Sequence, residues 1–220
     1  MHRTAQGWID AYRSRDAFWI HDGNPRRPHA LLTSGKHSNG FFYSKPIIAD
    51  RGLLSEAASD LIELLDQRGG DLGLVDCVVG PQTGATLLAE LLGRELGCSW
   101  ASPAKAGEGD DRSMIFSRNE IAQLPGNSVL PCEDVLTTGG SVMLAANAVN
   151  DAGGIVLPFI LVLVNRSGLT EVDGKQIVSL IDRHMPIWEP DDCPLCRAGS
   201  SPISPKRPET NWSLLNKPYD

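Results

Sequence analysis

The sequence lacks any hydrophobic run approaching the roughly 20 residues that a membrane-spanning helix needs, and its N-terminus lacks the apolar core of a signal peptide. Basic residues are also in short supply, with 20 Lys and Arg against 27 Asp and Glu and a formal net charge of -7. We therefore expect neither nucleic acid nor an anionic membrane as a partner. Any site for an anionic ligand must therefore be local, built from backbone N–H groups and a few basic residues.

Cysteines are few and odd in number, with five in the chain. Cys77 and Cys132 lie in apolar, strand-like runs, and Cys98 follows a predicted helix. We interpret these three as reduced, buried thiols of a cytoplasmic protein. The other two, Cys193 and Cys196, have the Cys-x-x-Cys spacing of a zinc half-site.

The sequence contains no second half-site, because Cys77, Cys98 and Cys132 are assigned to the core, and His184 does not complete a tetrahedral site without another ligand or a partner chain. We interpret Cys193 and Cys196 as a structural knuckle, with zinc binding and a redox role as alternatives.

The Pro- and Ser-rich stretch from Gly199 to Asp220 predicts an extended arm that lies on a neighbouring subunit.

Helical and strand-like segments alternate along the middle of the chain. The predicted helices cover 53–68, 84–96 and 141–152, and the predicted strands cover 74–79, 129–135, 155–164 and 175–181. This βαβ repetition predicts an α/β fold with a central parallel sheet covered by helices on both faces. Pro131 and Pro158 count against two of the strands, because each removes a ladder donor unless it lies at a strand start or a bulge.

The stretch 129–146 carries the strongest functional pattern. An apolar run ends in Glu133 and Asp134, a Thr-Thr-Gly-Gly-Ser turn follows at 137–141, and a helical pattern then begins. Such a turn presents N–H groups and hydroxyls to a phosphate, while the carboxylates suit the vicinal hydroxyls of a ribose with a divalent metal nearby. A simple turn capped by Ser141 is the alternative, but it needs no carboxylate pair.

This segment resembles the phosphoribosyl-pyrophosphate (PRPP) motif of type I phosphoribosyltransferases. The resemblance implies that the turn binds the 5-phosphate, that the acidic pair binds the ribose hydroxyls, and that Mg²⁺ accompanies PRPP. The implied PRPP-binding residues are Glu133, Asp134, Leu136, Thr137, Thr138, Gly139, Gly140 and Ser141.

A second strand-to-helix turn covers 79–85. In an open α/β sheet two such turns share one site at the carboxyl ends of the strands. The family resemblance assigns pyrophosphate binding through backbone N–H groups to Gln82, Thr83 and Gly84. An ordinary βα loop is the alternative.

The stretch 31–43 resembles the Ser-Gly-Arg-x-Ser-x-x-Phe-Phe segment of orotate phosphoribosyltransferases, which forms part of a hood over their active site. The resemblance implies that Phe41 and Phe42 lie against a flat pyrimidine, although adjacent phenylalanines also suit a core. Thr33 stands where the family commonly has a lysine, and we assign Lys36 a partly compensating contact with PRPP.

Asn165-Arg166 follows the strand over 155–164, where the orotate enzymes have Asp-Arg. The resemblance implies that Arg166 meets the base, and a guanidinium fork suits the carboxylate of orotate. Thr137 is assigned to the base as well. A surface arginine at a strand end is the alternative for Arg166.

The stretch 99–125 departs most from the family, whose mobile loop carries a cluster of basic residues and a histidine and closes over pyrophosphate in the neighbouring subunit. Here Lys105 and Arg112 remain, and the stretch has no histidine. We assign Lys105 to the leaving pyrophosphate. Two alternatives to an orotate enzyme therefore remain: a phosphoribosyltransferase for another base, and a non-catalytic regulator that senses PRPP or a nucleotide.

These features predict a single phosphoribosyltransferase domain over 1–220, with a core over 53–182 and a hood from 1–52 and 183–220. We expect a cytoplasmic homodimer that uses Mg²⁺ and joins orotate to PRPP, giving orotidine 5'-phosphate and pyrophosphate. The predicted catalytic residues are Glu133, Asp134 and Lys105.

Overall fold

The computed structural model describes residues 2–107 and 109–219, which form two compact units. The first unit contains Met1–Trp8 and Ser44–Arg183, and the second contains Ile9–Tyr43 and His184–Asp220. Within the described ranges, no helix is both long and apolar enough to cross a membrane.

The α-helices are α1 (Ala5–Arg13), α2 (Lys45–Ala49), α3 (Arg51–Gln67), α4 (Thr86–Leu96), α5 (Arg118–Ile121), α6 (Gly140–Asp151), α7 (Pro194–Arg197) and α8 (Thr210–Asn216). The strands are β1 (Phe18–Ile20), β2 (His29–Leu31), β3 (His37–Ser38), β4 (Gly40–Phe42), β5 (Cys77–Val79), β6 (Ser99–Ala101), β7 (Ala104–Ala106), β8 (Ser113–Ile115), β9 (Ser128–Leu136), β10 (Ile155–Val156), β11 (Phe159–Asn165), β12 (Glu171–Val172), β13 (Lys175–Asp182), β14 (Ile187–Trp188) and β15 (Pro202–Ile203). Short 3-10 turns lie at Leu72–Leu74, Gly109–Asp111 and Pro190–Asp192.

The first unit is built on a seven-stranded sheet in the order β12-β13-β11-β9-β5-β6, with β10 paired to β9. Each pairing is parallel except that of β12 with β13. Cys77 and Val79 of β5 pack in one cluster with Ala145 and Val149 of α6, while Val78 points the other way and is also fully buried. Helices α3 and α4 contact the sheet as well, so the α/β class is confirmed.

Helices α3, α4 and α6 correspond to the three predicted helices. The Asp50 carboxylate accepts a hydrogen bond of 3.1 Å from the Leu53 N–H and so caps the start of α3. Gly97, with φ of 71°, ends α4 in the left-handed conformation that glycine adopts without strain.

Two predicted strands differ from the observed ones. The strand predicted over 74–79 starts later, because the Asp71 carboxylate accepts a 3.0 Å hydrogen bond from the Gly73 N–H and closes a turn before Cys77. The strand predicted over 155–164 is interrupted at Pro158 and forms β10 and β11.

Pro131 lies in the central strand β9 beside the same interruption. The Leu157 N–H donates to the Val129 carbonyl at 2.8 Å, and pairing with β11 resumes where Leu161 faces Cys132. Pro131 falls between these points, so its missing N–H removes no ladder bond on that side. The two prolines therefore share one break in the sheet.

The second unit contains the antiparallel pair β1–β4 and a four-stranded sheet in the order β14-β3-β2-β15. Strand β15 runs parallel to β2, and α8 buries Leu215, whose carbonyl accepts a 2.8 Å hydrogen bond from the Trp19 indole N–H. The extended arm predicted from Gly199 to the C-terminus is thus wrong, because its apolar side chains pack onto their own unit.

The N-terminal segment of the first unit is held by Asp60, a buried carboxylate on α3 with 6% exposure. Asp60 accepts hydrogen bonds from the Trp8 indole N–H at 2.8 Å and from the Arg3 backbone N–H at 3.1 Å, and it contacts the His2 ring at 2.6 Å. Trp8 is itself 1% exposed, so its indole N–H depends on this one carboxylate.

We predict that Asp60→Ala lowers the free energy of unfolding by about 1–3 kcal/mol, because it leaves the buried Trp8 N–H without an acceptor. Urea denaturation measures the effect. Asp66→Ala is the matched control, since Asp66 is exposed on the same helix. Equal stability of the two variants would contradict the assignment.

Candidate functional site

The carboxyl end of the central strand β9 is the meeting point of the candidate residues in the first unit. The Arg166 backbone N–H donates to the Leu136 carbonyl at 3.0 Å, which ties the end of β11 to the end of β9. The Arg183 N–H donates to the Asn165 carbonyl at 2.8 Å in the same way. As predicted, Arg166 therefore lies beside the turn that follows β9.

Glu133 and Asp134 form a tight acidic pair at this edge. Glu133 is buried with 8% exposure, and the Asp134 backbone N–H donates to its Oε1 at 3.2 Å. Burial raises the pKa of Glu133 well above its ordinary value of 4.5, and the neighbouring Asp134 raises it further. The positive charge of Lys105 acts on the same pKa in the opposite direction.

The turn after β9 leads into α6 without a side-chain cap from the part of the chain that the structure describes. Gly139 is the N-cap residue, with φ of 82°, and a Cβ at this position would lie 2.9 Å from Val172 Cγ1. The alternative of a turn capped by Ser141 is therefore not what forms. First-turn N–H groups of a helix have no intrahelical partner, so this uncapped end suits an anion.

The loop between β5 and α4 approaches the acidic pair through Gly84. A Cβ on Gly84 would lie 2.8 Å from the Asp134 carboxylate, so a larger residue would displace one of the two. The two strand-to-helix turns that the sequence singled out are thus adjacent, as the shared sheet edge predicts.

Ser102 organises the same loop, and sequence reasoning missed it. Its hydroxyl donates to the Gly80 carbonyl at 2.7 Å and accepts from the Thr86 hydroxyl at 2.6 Å. The Gln82 side chain donates to the Ser102 carbonyl at 2.7 Å, so this amide supports the loop, while the Thr83 side chain is exposed. Ser102 is close to these residues because β6 pairs with β5. The sequence around Ser102 contains no motif that predicts these contacts.

Lys105 lies on a hairpin in which β7 and β8 pair, with Lys105 opposite Met114. Met114 and Phe116 are buried in the core cluster, so they anchor one arm of the hairpin, whereas Lys105 is exposed. Glu108, which the sequence places between the arms, lies outside the described residues.

Arg166 is 2% exposed, and burial lowers its pKa to about 10. The turn that follows it is organised by Asn165, whose Oδ1 accepts hydrogen bonds from the Ser167 N–H at 3.1 Å and from its hydroxyl at 2.6 Å. The Asn165 amide N–H₂ donates to the Leu169 carbonyl at 2.8 Å. An ionised aspartate could not donate this last bond.

The remaining predicted residues belong to the second unit. Lys36 forms an ion pair of 2.7 Å with Glu189. Phe42 is 2% exposed, with its ring 5.2 Å from that of Tyr12, whereas Phe41 is partly exposed beside Trp212. Phe41 therefore presents more of its ring than Phe42 does.

Cys193 and Cys196 also lie in the second unit, close to His29 and His37. The sequence-based view that a second half-site is missing was wrong. The two histidines belong to a different part of the sequence, and strand pairing brings them to the cysteines.

Comparisons with curated proteins identify close relatives, although no protein-family model matches the chain. The chain is 34% identical over 191 residues to the orotate phosphoribosyltransferase of Acidithiobacillus ferrooxidans, covering 86% of this chain and 93% of that protein. It is 35% identical over 177 residues to the orotate phosphoribosyltransferase of Heliobacterium modesticaldum, covering 80% and 88% respectively.

Solved structures give a similar result. The crystal structure of orotate phosphoribosyltransferase from Aeropyrum pernix matches with a TM-score of 0.60 at 25% identity, covering 79% of this chain and 92% of that one. The adenine phosphoribosyltransferase of Thermoanaerobacter pseudethanolicus matches with a TM-score of 0.51 at 25% identity, covering 65% and 88%.

We predict that Glu133→Gln stabilises the ligand-free chain. Because the pKa of Glu133 is raised in the folded state, its contribution to the free energy of unfolding is fully present below the pKa of the unfolded state. That contribution is lost as the pH rises through the pKa of the folded state. Glutamine mimics the protonated acid at every pH, so the gain in unfolding free energy should be larger at about pH 7.5 than at about pH 5.

Urea denaturation at the two pH values measures this difference. Glu95→Gln, a change at an exposed glutamate on α4, is the matched control and should show no pH-dependent gain. A Glu133→Gln variant less stable than the parent at both pH values would contradict the prediction.

Proposed function

Since this chain belongs to the orotate phosphoribosyltransferase family and has the type I phosphoribosyltransferase fold, we propose that it joins orotate to PRPP at the carboxyl end of β9. The products are orotidine 5'-phosphate and pyrophosphate. The observation that carries the proposal is the acidic pair of the buried Glu133 and the half-buried Asp134, which precedes an uncapped helix start.

The 5-phosphate of PRPP is assigned to the turn at 137–141. The start of α6 supplies backbone N–H groups and the positive end of the helix dipole, while Thr137, Thr138 and Ser141 supply hydroxyls. Gly139 allows the left-handed backbone that this turn needs. The phosphate therefore binds mostly through the backbone, which suits a chain of net negative charge.

The ribose hydroxyls are assigned to Glu133 and Asp134. The burial of Glu133 and the nearby Asp134 carboxylate raise the pKa of Glu133, and hydroxyl donors or a cation would relieve that cost. Carboxylate oxygens are the donors that Mg²⁺ prefers, so the pair fits the metal that accompanies PRPP. When bound, Mg²⁺ would supply charge neutralisation for the pyrophosphate group.

The pyrophosphate is assigned to the loop containing Gln82, Thr83 and Gly84, with Lys105 as the cation of the neighbouring hairpin. Gly84 lies against Asp134, so phosphates on this loop would be adjacent to the ribose. Breaking the bond between C1 and pyrophosphate gives a transition state with oxocarbenium character, and positioning is the main contribution of the protein. Lys105 stabilises the negative charge that develops on the leaving group.

The base is assigned to Arg166 and Thr137, and the family resemblance gives Phe41 and Phe42 the same role. A buried guanidinium whose pKa is lowered by desolvation gains from a carboxylate partner, and orotate carries one. Lys36 is assigned to PRPP. The family resemblance supports these roles, and it also supports a homodimer in which neighbouring subunits share a site.

Five free cysteines support the expected reducing, cytoplasmic location, with Cys77 and Cys132 buried as expected and Cys98 half-buried.

The direct test of function is a steady-state assay of pyrophosphate release with saturating Mg-PRPP and a panel of bases. Turnover with orotate supports the proposal. Binding of Mg-PRPP without turnover of any base would instead indicate a regulator.

We predict that Asp134→Asn weakens Mg-PRPP binding by about 1–3 kcal/mol, because a charge-assisted hydrogen bond to the ribose is lost. Glu133→Gln should weaken it similarly despite its greater stability. Calorimetric titration with Mg-PRPP measures both. Asp151→Asn, at the exposed last residue of α6, is the control. Binding by both site variants at the affinity of the parent would remove the assignment.

We also predict that orotate is preferred to uracil by about 10⁴ in kcat/KM, because uracil leaves a buried guanidinium without its carboxylate. Arg166→Ala should remove most of this preference, whereas Arg118→Ala, at an exposed position on α5, should keep it. The ratio of kcat/KM for orotate to kcat/KM for uracil does not depend on how much of the enzyme is folded, so a partly unfolded variant still gives a valid result. Preference for uracil or a purine would overturn the assignment of orotate as the base, but not the assignment of phosphoribosyltransferase activity.

A further inference from the structure

The Cys-x-x-Cys pair takes no part in the proposed reaction, yet it lies in a buried cluster of metal-binding side chains in the second unit. Cys193 precedes α7 and is 0% exposed, and Cys196 lies within α7. His29 on β2 and His37 on β3 are 0% and 5% exposed. One ligand atom from each of the four residues lies within 4.8 Å of all the others.

The spacing of these atoms matches tetrahedral coordination. Bonds of about 2.3 Å to sulfur and about 2.05 Å to nitrogen place sulfur and nitrogen ligands about 3.6 Å apart and two nitrogens about 3.3 Å apart. The His29 Nε2 lies 3.6 Å from the Cys193 Sγ and 3.5 Å from the Cys196 Sγ. The His37 Nδ1 lies 3.3 Å from the Cys196 Sγ and 3.1 Å from the His29 Nε2.

The hydrogen bond made by the His29 Nδ1 determines that the His29 Nε2 faces the cluster with its lone pair. The Ser200 hydroxyl donates its one hydrogen to the Arg27 carbonyl at 2.6 Å, so it must accept a hydrogen bond from the His29 Nδ1 at 2.8 Å. The proton is therefore on Nδ1, and the lone pair is on Nε2. An outer hydrogen bond of this kind is what orients histidine ligands in metal sites.

Hydrogen bonds alone do not account for the cluster. The two thiols and the His37 Nδ1 all lie around the single lone pair of the His29 Nε2. A protonated His37 Nδ1 uses that lone pair and takes it from the thiols, which are weak donors in any case. An unprotonated His37 Nδ1 accepts from the Cys196 thiol, but its lone pair then faces that of the His29 Nε2 at 3.1 Å. A cation at the centre satisfies all four groups at once.

We propose that His29 Nε2, His37 Nδ1, Cys193 Sγ and Cys196 Sγ bind one structural Zn²⁺ ion. Binding releases two protons as the thiols become thiolates, whose charges balance that of the ion. Two cysteines and two histidines form a closed tetrahedral set, which is typical of structural zinc and leaves no open position for catalysis.

The ion would join two distant parts of the chain. His29 and Cys193 are 164 residues apart in sequence, and β14 and β15, on either side of the cysteines, pair with β3 and β2. Closing so long a loop gives a large entropic stabilisation of the folded state. The ion therefore holds the four-stranded sheet together.

Elemental analysis of the full chain, produced without a polyhistidine tag, tests the proposal. We expect about one zinc per chain in the parent, and almost none in Cys193→Ser or His37→Ala. Cys98→Ser is the matched control, since it alters a half-buried cysteine of the first unit, and it should keep its zinc.

Cobalt substitution tests the same site in the parent itself, so the result does not depend on a variant that folds. Reduced, metal-free chain titrated with Co²⁺ should show the visible bands of tetrahedral cobalt and a thiolate-to-cobalt charge-transfer band. Chelation of the metal should lower the melting temperature. Absence of zinc after incubation with Zn²⁺, or zinc retained by both Cys193→Ser and His37→Ala, would overturn the proposal. No substrate is needed, so this outcome is independent of the transferase assay.

Discussion

The carboxylate pair at the end of β9, with Glu133 buried and Asp134 half-buried, is the constraint on which the first unit depends. Glu133 is removed from water beside a second carboxylate, and its raised pKa is the measure of that cost. A fold selected for stability alone would not place two acids there. In the proposed function, hydroxyls and a cation complete this site, and the unfavourable interaction of the ligand-free chain is one that the proposed substrate would relieve.

The residues around the pair are small because the space is limited. Gly84 approaches the Asp134 carboxylate so closely that a methyl group would not fit, and Gly139 combines a left-handed backbone with contact to Val172. These two glycines let two helix starts converge on one strand end. In the proposed site, backbone N–H groups would thereby take the role that lysines and arginines have in more basic phosphate sites.

Sequence alone predicts what local patterns determine. Strand β9, helix α6 and the acidic pair are continuous in sequence, and the placement of Arg166 follows from strand order. The Ser102 contacts and the second half of the metal cluster depend instead on pairing between distant strands. The turn at Asp71 and the packed C-terminal segment were missed because a single side chain and a few apolar contacts decide them.

The two units differ in how much apolar core they can bury, which gives a reason for the proposed zinc ion to belong to the second unit. The first has long strands, such as the nine-residue β9, and helices of up to 17 residues. The second contains about 70 residues in strands of two or three residues each, a size at which a hydrophobic core alone gives marginal stability. Small units of this kind gain stability from a disulfide or a metal, and free thiols beside two histidines favour the metal.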